Sequence, residues 1–496
     1  MSGFAEYDNY DGLGLAALIK AGEVSATEAL DAALERITGL NPALNAVVHT
    51  NVERARAHAV APDVTGPFAG VPFLLKDLMG QDAGEPCTYS SRAYASWRPD
   101  RDSELVARYK RGGVNIVGRT NTPEFGIYAV TESQLRGPCR NPWNPEHTPG
   151  GSSGGSASAV AARIVPMAHA GDGGGSIRIP ASHCGLVGLK PTRGRNPMGP
   201  YAGDRWGGLV AEHIVCRSVR DSAAMLDVTQ GPGLGDPYEA RGPVRPYQQD
   251  AAEDPRPLRI AFTTRALLGD ETHAHNIAAV QDAARLAREL GHEVVEDCPT
   301  YDKEAMIRAY LIMVASGANQ GVAGVKGATG RSGRRRDFEP ATWLLKLIAD
   351  KVTAGEYAQH VHTIQMAARG IAPFFERYDV FLTPTAARPP VPIGTFRPTF
   401  SERALMRVLA AVPARPLLLK ALDKMAASAL NATPNAMLFN MTGQPAVSLP
   451  LFWNDDGLPI GTQWVGPFGD EATLMQLAGQ LERARPWAHR KPPMLG

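Results

Sequence analysis

Two glycine- and serine-rich segments restrict this chain more than anything else in it: Thr148-Pro-Gly-Gly-Ser-Ser-Gly-Gly-Ser156 and, further on, Gly171-Asp-Gly-Gly-Gly-Ser-Ile-Arg178. Glycine is used where backbone must take a positive φ or approach another group closely. Two such segments, each presenting serine, point to backbone N–H groups gathered around reactive hydroxyls. Upstream, Val71-Pro-Phe-Leu-Leu-Lys-Asp-Leu78 sets one lysine in an apolar run. A serine hydroxyl is a poor nucleophile until a neighbour takes its proton. A lysine removed from water has its pKa lowered and can serve as that base.

The surrounding pattern alternates strands and helices. Ser25-Ala-Thr-Glu28 is a capping box for a helix that Gly39 and Pro42 are expected to end. A short strand closes on Lys76, at the C-terminal end where α/β sheets usually carry their sites. A helix from Asp102 to Arg111 and a strand at Val114–Val117 follow, then a Gly-, Pro- and Asn-rich connection over 137–149. A helix over Ser156–Ala162 starts directly after the first serine loop, so the loop sits at an end rich in unpaired N–H groups. Ile164–Ala170 reads as a buried strand that the second glycine cluster closes.

Ser218 caps a helix running to Thr229, and Leu258–Thr263, His273–Leu290 and Glu293–Glu296 read as a β-α-β unit with parallel strands. Residues 341–377 are largely helical, and a strand at Tyr378–Thr383 follows. Residues 390–430 read as helical cover over a pocket. Strands at Ala446–Leu451 and Ile460–Val465 and a helix near Glu471–Leu481 complete the chain. With no linker or repeat, the expectation is one large α/β domain over 1–496, a twisted mixed sheet covered on both faces by helices. Its N-terminal helices occupy about 1–65, the catalytic core about 66–230, and the remaining α/β and pocket-covering segments 231–496.

Bulk properties exclude some functions. A net charge of +1 over 496 residues gives no reason to expect nucleic acid or a membrane surface as partner. No apolar run reaches the ~20 residues of a spanning helix. The N-terminus, Met1-Ser-Gly-Phe-Ala-Glu-Tyr-Asp-Asn, lacks the regions of a signal peptide. Five scattered cysteines (Cys87, Cys139, Cys184, Cys216, Cys298) suggest free thiols, so the expected compartment is the cytoplasm.

Other motifs fail on context. Gly150-Gly-Ser-Ser-Gly154 fits the G-x-S-x-G nucleophile elbow, but Asn144-Pro-Glu-His-Thr-Pro149 before it is no central strand. No Gly-Lys-Ser/Thr follows the glycines, as a phosphate loop requires. No lysine has a serine three residues before it, which removes the S-x-x-K arrangement. The pairs His273/His275 and His360/His362 lack metal-binding spacing, so no metal is expected. A Ser-His-Asp triad stays open, with His147, His169 and His183 nearest the glycine loops.

Gly70-Val-Pro-Phe-Leu-Leu-Lys-Asp77, Gly150-Gly-Ser-Ser-Gly-Gly-Ser156 and Asp172-Gly-Gly-Gly-Ser-Ile-Arg178 together resemble the amidase signature family. Gly185-Leu-Val-Gly-Leu-Lys-Pro-Thr192, Asp379-Val-Phe-Leu-Thr-Pro-Thr385 and Asn440-Met-Thr-Gly-Gln-Pro-Ala446 extend the resemblance over essentially the whole chain. Arg178-Ile-Pro-Ala-Ser-His-Cys184 and Asn141-Pro-Trp-Asn-Pro145 resemble its branch of 6-aminohexanoate cyclic-dimer hydrolases, aryl acylamidases and carbamate-cleaving amidases.

The resemblance implies Ser176 as nucleophile, Ser152 as a bridging serine on a cis peptide and Lys76 as base. It places the oxyanion hole at the N–H groups of Gly173, Gly174, Gly175 and Ser176, with Ser153 in support. Asp172 and Arg178 are expected to brace the second loop against each other. The implied activity is hydrolysis of neutral, hydrophobic amides, with anilides or carbamates as further substrates, by a monomer or homodimer without a cofactor. An amidotransferase A-type subunit and a catalytically silent binding protein are the alternatives. Gly173 departs from the family, where threonine, isoleucine or alanine is common. Three consecutive glycines are therefore expected to leave the hole wider or looser.

Overall fold

In a computed structural model, which describes residues 4–61, 64–430 and 433–495, the chain builds one mixed sheet of eleven strands. Residues 1–3, the start of the stretch read for a signal peptide, lie outside it. The first six strands are β1 (Val47–Thr50), β2 (Pro72–Lys76), β3 (Asn115–Thr120), β4 (Met167–Asp172), β5 (Val187–Lys190) and β6 (Ala211–Cys216). The others are β7 (Arg259–Phe262), β8 (Glu293–Glu296), β9 (Val380–Pro384), β10 (Ala446–Trp453) and β11 (Pro459–Val465). Their order across the sheet is β1-β3-β2-β4-β6-β5-β10-β11-β9-β7-β8. β2 runs parallel to β3 and β4, and the expected β-α-β unit forms with β7 parallel to β8. The α/β class and the mixed sheet are as expected.

Alternation along β2 divides the core. Phe73 and Leu75 pack with Met167, Ile214 and Trp464, whereas Leu74 packs with Ala159, Ala168 and Val215 on the other face. With a side-chain period of two, Lys76 falls on the Leu74 face, the one covered by helix Gly154–Ala161. This register aims the lysine at the serine loop. Among the described residues no helix is long and apolar enough to cross a membrane. All five cysteines are unpaired.

Three boundaries differ from the sequence reading. Helix Ala26–Leu44 runs through Gly39 and Pro42, and Asn45 ends it at φ 50° with its N–H on Asn41. Proline in a last turn removes one bond only, and the fully buried Leu44 holds that turn on the core. The strand expected from Ile164 begins at Met167. Arg163 takes a φ of 59° and the Ile164 N–H returns to Ala159, so these residues terminate the preceding helix instead. Ser103, not Asp102, caps helix Glu104–Arg111.

Candidate active site

The loop between β4 and helix Arg178–Cys184 is wound around one carboxylate. Asp172 Oδ1 accepts from Gly175 N at 2.6 Å, Arg178 Nη2 at 2.9 Å and Asn440 Nδ2 at 2.8 Å. Its Oδ2 accepts from Ile177 N at 3.2 Å and Arg178 Nε at 2.9 Å. Burial alone would raise the Asp172 pKa, but the Arg178 charge and these donors hold it well below the ordinary range. Arg178 is itself fully buried and donates onward to Ala436 O, Gln463 Oε1 and Asn440 Oδ1. The expected brace between Asp172 and Arg178 is present. Asp172→Asn, which leaves a buried guanidinium without its counter-charge, is expected to lower stability by about 3–5 kcal/mol in denaturant titration.

The first serine loop is held from the opposite side. Gly151 and Ser152 join through a cis peptide bond. The Ser152 carbonyl accepts from Thr122 Oγ1 at 2.8 Å, and the Gly150 carbonyl from Thr131 Oγ1 at 2.9 Å. A Cβ on Gly155 would come within 2.3 Å of the Asn121 nitrogen, so only glycine lets helix Gly154–Ala161 seat there. Ser153 ties the loops together: its N–H donates to Ser176 O and its hydroxyl meets both N and O of Gly171, each at 3.3 Å.

Lys76 lies between the loops with no exposed surface. Its Nζ is 2.7 Å from Ser152 Oγ and 3.3 Å from Gly171 O. Burial lowers its pKa to about 7 against the partial opposition of the Asp172 and Glu212 charges. An amine in that range is substantially neutral near physiological pH and able to accept a proton. Ser176 is 9 % exposed and lines two cavities at once. Its hydroxyl has no protein hydrogen-bond partner among the described residues. Of the four N–H groups expected to form an oxyanion hole, that of Gly175 differs. It is consumed by Asp172, which leaves Gly173, Gly174 and Ser176 without protein acceptors among the described residues.

The glycine loop is not loose. A Cβ on Gly173 would lie 2.8 Å from the Trp206 ring, and one on Gly174 would lie 1.9 Å from the Tyr310 hydroxyl oxygen. An indole and a phenol fill the space that side chains would take, and the Asp172 carboxylate fixes the backbone between them. The expectation of a wider hole is corrected on that ground. Gly174→Ala should therefore push Tyr310 out of place and lower kcat/KM by about 100-fold, the range for disturbing one such donor. Adding Tyr310→Phe to it should restore part of the loss, and no restoration would show that the clash is not the cause.

The histidines nearest the loops do not serve either serine. His169 accepts from the Lys76 backbone N–H at 3.3 Å and meets Glu212 at 2.9 Å on the far side of the lysine. His147 lies by the Pro392 backbone, and His183 is buried against Gly150. None of the three lines either cavity. The elbow motif fails as expected, since turns precede Gly150.

The two cavities meet at Ser176, Trp206, Gly126 and Ile127. One, of about 210 Å³, is apolar, with Ile179, Val314, Leu344 and Met437 in its wall. Helices Phe400–Ala411 and Arg415–Leu430 border it through Leu405, Met406, Leu409 and Leu422. The other, of about 740 Å³, is a more polar cleft lined by Lys76, Ser152, Tyr89, Asp204, Arg205 and Gln320. Tyr310 and Gly317, on helix Lys303–Thr329, escaped sequence reasoning. A signal was available, because Gly317, Gly321 and Gly324 stand on one helical face. They admit Trp206, Phe125 and the Tyr94 hydroxyl in turn.

The amidase family model matches residues 28–475. The 6-aminohexanoate-cyclic-dimer hydrolase of Pseudomonas sp. (strain NK87) is 37% identical over 98% of this chain and 97% of its own. A solved 6-aminohexanoate cyclic dimer hydrolase in complex with substrate superposes with a TM-score of 0.89 at 35% identity, covering 99% of this chain and 100% of that one. A bacterial aryl acylamidase of the amidase signature enzymes gives 0.85 at 27% identity, covering 97% of each chain. The chain belongs to the amidase family. It is a hydrolase acting on amide C–N bonds.

Proposed function

We propose that this amidase cleaves neutral, largely hydrophobic amides by acyl transfer to Ser176, with anilides and carbamates within its range. Neutral Lys76 takes a proton from Ser152 as Ser152 takes one from Ser176, and the Ser176 oxygen attacks the carbonyl. The oxyanion so formed is met by the N–H groups of Gly173, Gly174 and Ser176, an interaction worth several kcal/mol in such sites. Collapse breaks the C–N bond, and the proton held on Lys76 returns through Ser152 to the leaving nitrogen. Water then attacks the acyl-enzyme carbonyl, its proton passing through Ser152 to Lys76, and collapse breaks the bond to the Ser176 oxygen, which takes that proton back as the acid leaves.

The 2.7 Å contact between a fully buried Lys76 and the Ser152 hydroxyl carries this reading, because it joins a lowered amine pKa to the first hydroxyl of the relay, in the same cleft as the unengaged Ser176 hydroxyl. The apolar cavity beside Ser176 supports a hydrophobic acyl part. Likeness to 6-aminohexanoate-cyclic-dimer hydrolases and an aryl acylamidase supports cyclic amides and anilides as the first substrates to try. The purified single chain, given linear amides, anilides, cyclic amides and carbamates, is expected to release amine without an added protein. Turnover only with partner proteins would favour the amidotransferase alternative. No turnover of any of the four classes would refute the proposal.

A further inference from the structure

The two cavities are unequal, and the proton path settles which half of a substrate enters each. Lys76 and Ser152 line the wider cleft only, whereas Ser176 opens to both. The leaving nitrogen must receive its proton from Ser152, so the amine half lies in the wider cleft and the acyl half in the narrow apolar cavity. In the wall of that cleft stands Arg205. Tyr89 stands in the same wall with its hydroxyl accepting from Gln81 Nε2 at 3.0 Å, and the buried Glu212 carboxylate is already held by His169 at 2.9 Å. No carboxylate among the described residues forms an ion pair with Arg205. Of the two carboxylates in the same wall, Asp100 is engaged by Arg101 and the Tyr201 hydroxyl, and Asp204 is exposed to solvent.

The backbone that presents this guanidinium is fixed. Trp206, Gly207 and Gly208 take φ values of 53°, 63° and 84° in succession. Non-glycine residues seldom adopt such angles, and they gather where the surrounding structure enforces them. Here the enforcement is visible: Cβ atoms on Gly173 and Gly317 would come within 2.8 Å and 2.0 Å of the Trp206 ring, which is clamped between the two glycines. A clamped neighbour sets the position of Arg205 before any ligand arrives. A planar guanidinium with spare donors in a partly enclosed site matches a carboxylate.

Resting on the acyl-transfer reading above but departing from its neutral amine half, we propose that Arg205 binds a carboxylate on the amine half of the substrate, so that N-acyl amino acids with an apolar acyl group are preferred over their neutral counterparts. The test holds the acyl part constant. N-hexanoyl-4-aminobutyrate and its primary carboxamide are compared for kcat/KM with the full-length enzyme, its Arg205→Met variant and its Arg205→Lys variant. The wild type is expected to favour the carboxylate by about tenfold or more, the scale of a charge-assisted hydrogen bond. Arg205→Met should bring the ratio near one, and Arg205→Lys should keep part of it. A wild-type ratio of one or below overturns the proposal even if the variants fail to fold, as does a ratio that survives Arg205→Met. If neither compound is cleaved although Ser176 still reacts with a fluorophosphonate, the substrate assignment alone falls. If Ser176 does not react either, the acyl-transfer reading falls with it.

Discussion

Ser176→Ala is expected to lower kcat/KM on every amide substrate by about 10⁴-fold or more, as when a hydrolase loses its nucleophile. Stability should hardly change. The Ser176 hydroxyl opens on two cavities and bonds no protein group among the described residues, so its removal leaves no buried partner unsatisfied. Thermal unfolding of the variant beside the wild type checks this second half. A loss of activity matched by a large loss of stability would make Ser176 a structural serine. The fold-change is expected in kcat more than in KM, because in the proposed mechanism the hydroxyl attacks the reacting carbonyl while the cavity walls hold the rest of the substrate.

Lys76→Met is the second large effect. Methionine keeps the unbranched apolar stem of the side chain but has no amine to accept a proton, and the expected loss is again about 10⁴-fold. The pH dependence identifies the cause. Burial lowers the Lys76 pKa to about 7, and the proposed relay requires its neutral form. The wild-type rate should therefore be near its plateau above that pH and should fall about tenfold per unit below it. Residual activity of Lys76→Met should lose this dependence. A wild-type profile that stays flat to pH ~4 would remove Lys76 as the base, since no ordinary burial keeps a lysine neutral there.

How far the sequence anticipated this site differs from residue to residue, for physical reasons. Lys76, Ser152, Ser176, Asp172 and Arg178 were legible because each sits in or beside a glycine-marked turn, where close approach restricts residue type. β2 was legible as a short apolar run between Gly and Pro, and its alternation was enough to put Lys76 and Leu74 on one face. The Gly175 N–H was misread because which way a peptide faces depends on Asp172, Arg178 and Asn440 meeting from three parts of the chain. Tyr310 was hidden, although the glycine row further along its helix was readable. It lies on helix Lys303–Thr329, whose glycines lower helix propensity, and its hydroxyl reaches Gly174 only through the tertiary fold.

The helix ends show the same division. Pro42 and Gly39 argue locally for an early stop, yet the packing of Leu44 carries helix Ala26–Leu44 past both. Ile164 and Val165 read as strand from their composition. The left-handed Arg163 turns them into the end of a helix before β4 can start. Gly173 is the most instructive case. Its missing side chain suggests slack when read alone, whereas Trp206 occupies that volume and is clamped there with Gly317.

The most direct test is the rate at which a fluorophosphonate modifies the enzyme as a function of pH, with the adduct located by peptide mapping. A single adduct on Ser176 is expected, with a rate that rises through a midpoint of about 7 and is abolished in Lys76→Met. An adduct on any other residue, or a Ser176 rate unchanged by pH or by loss of the lysine, would contradict the proton relay.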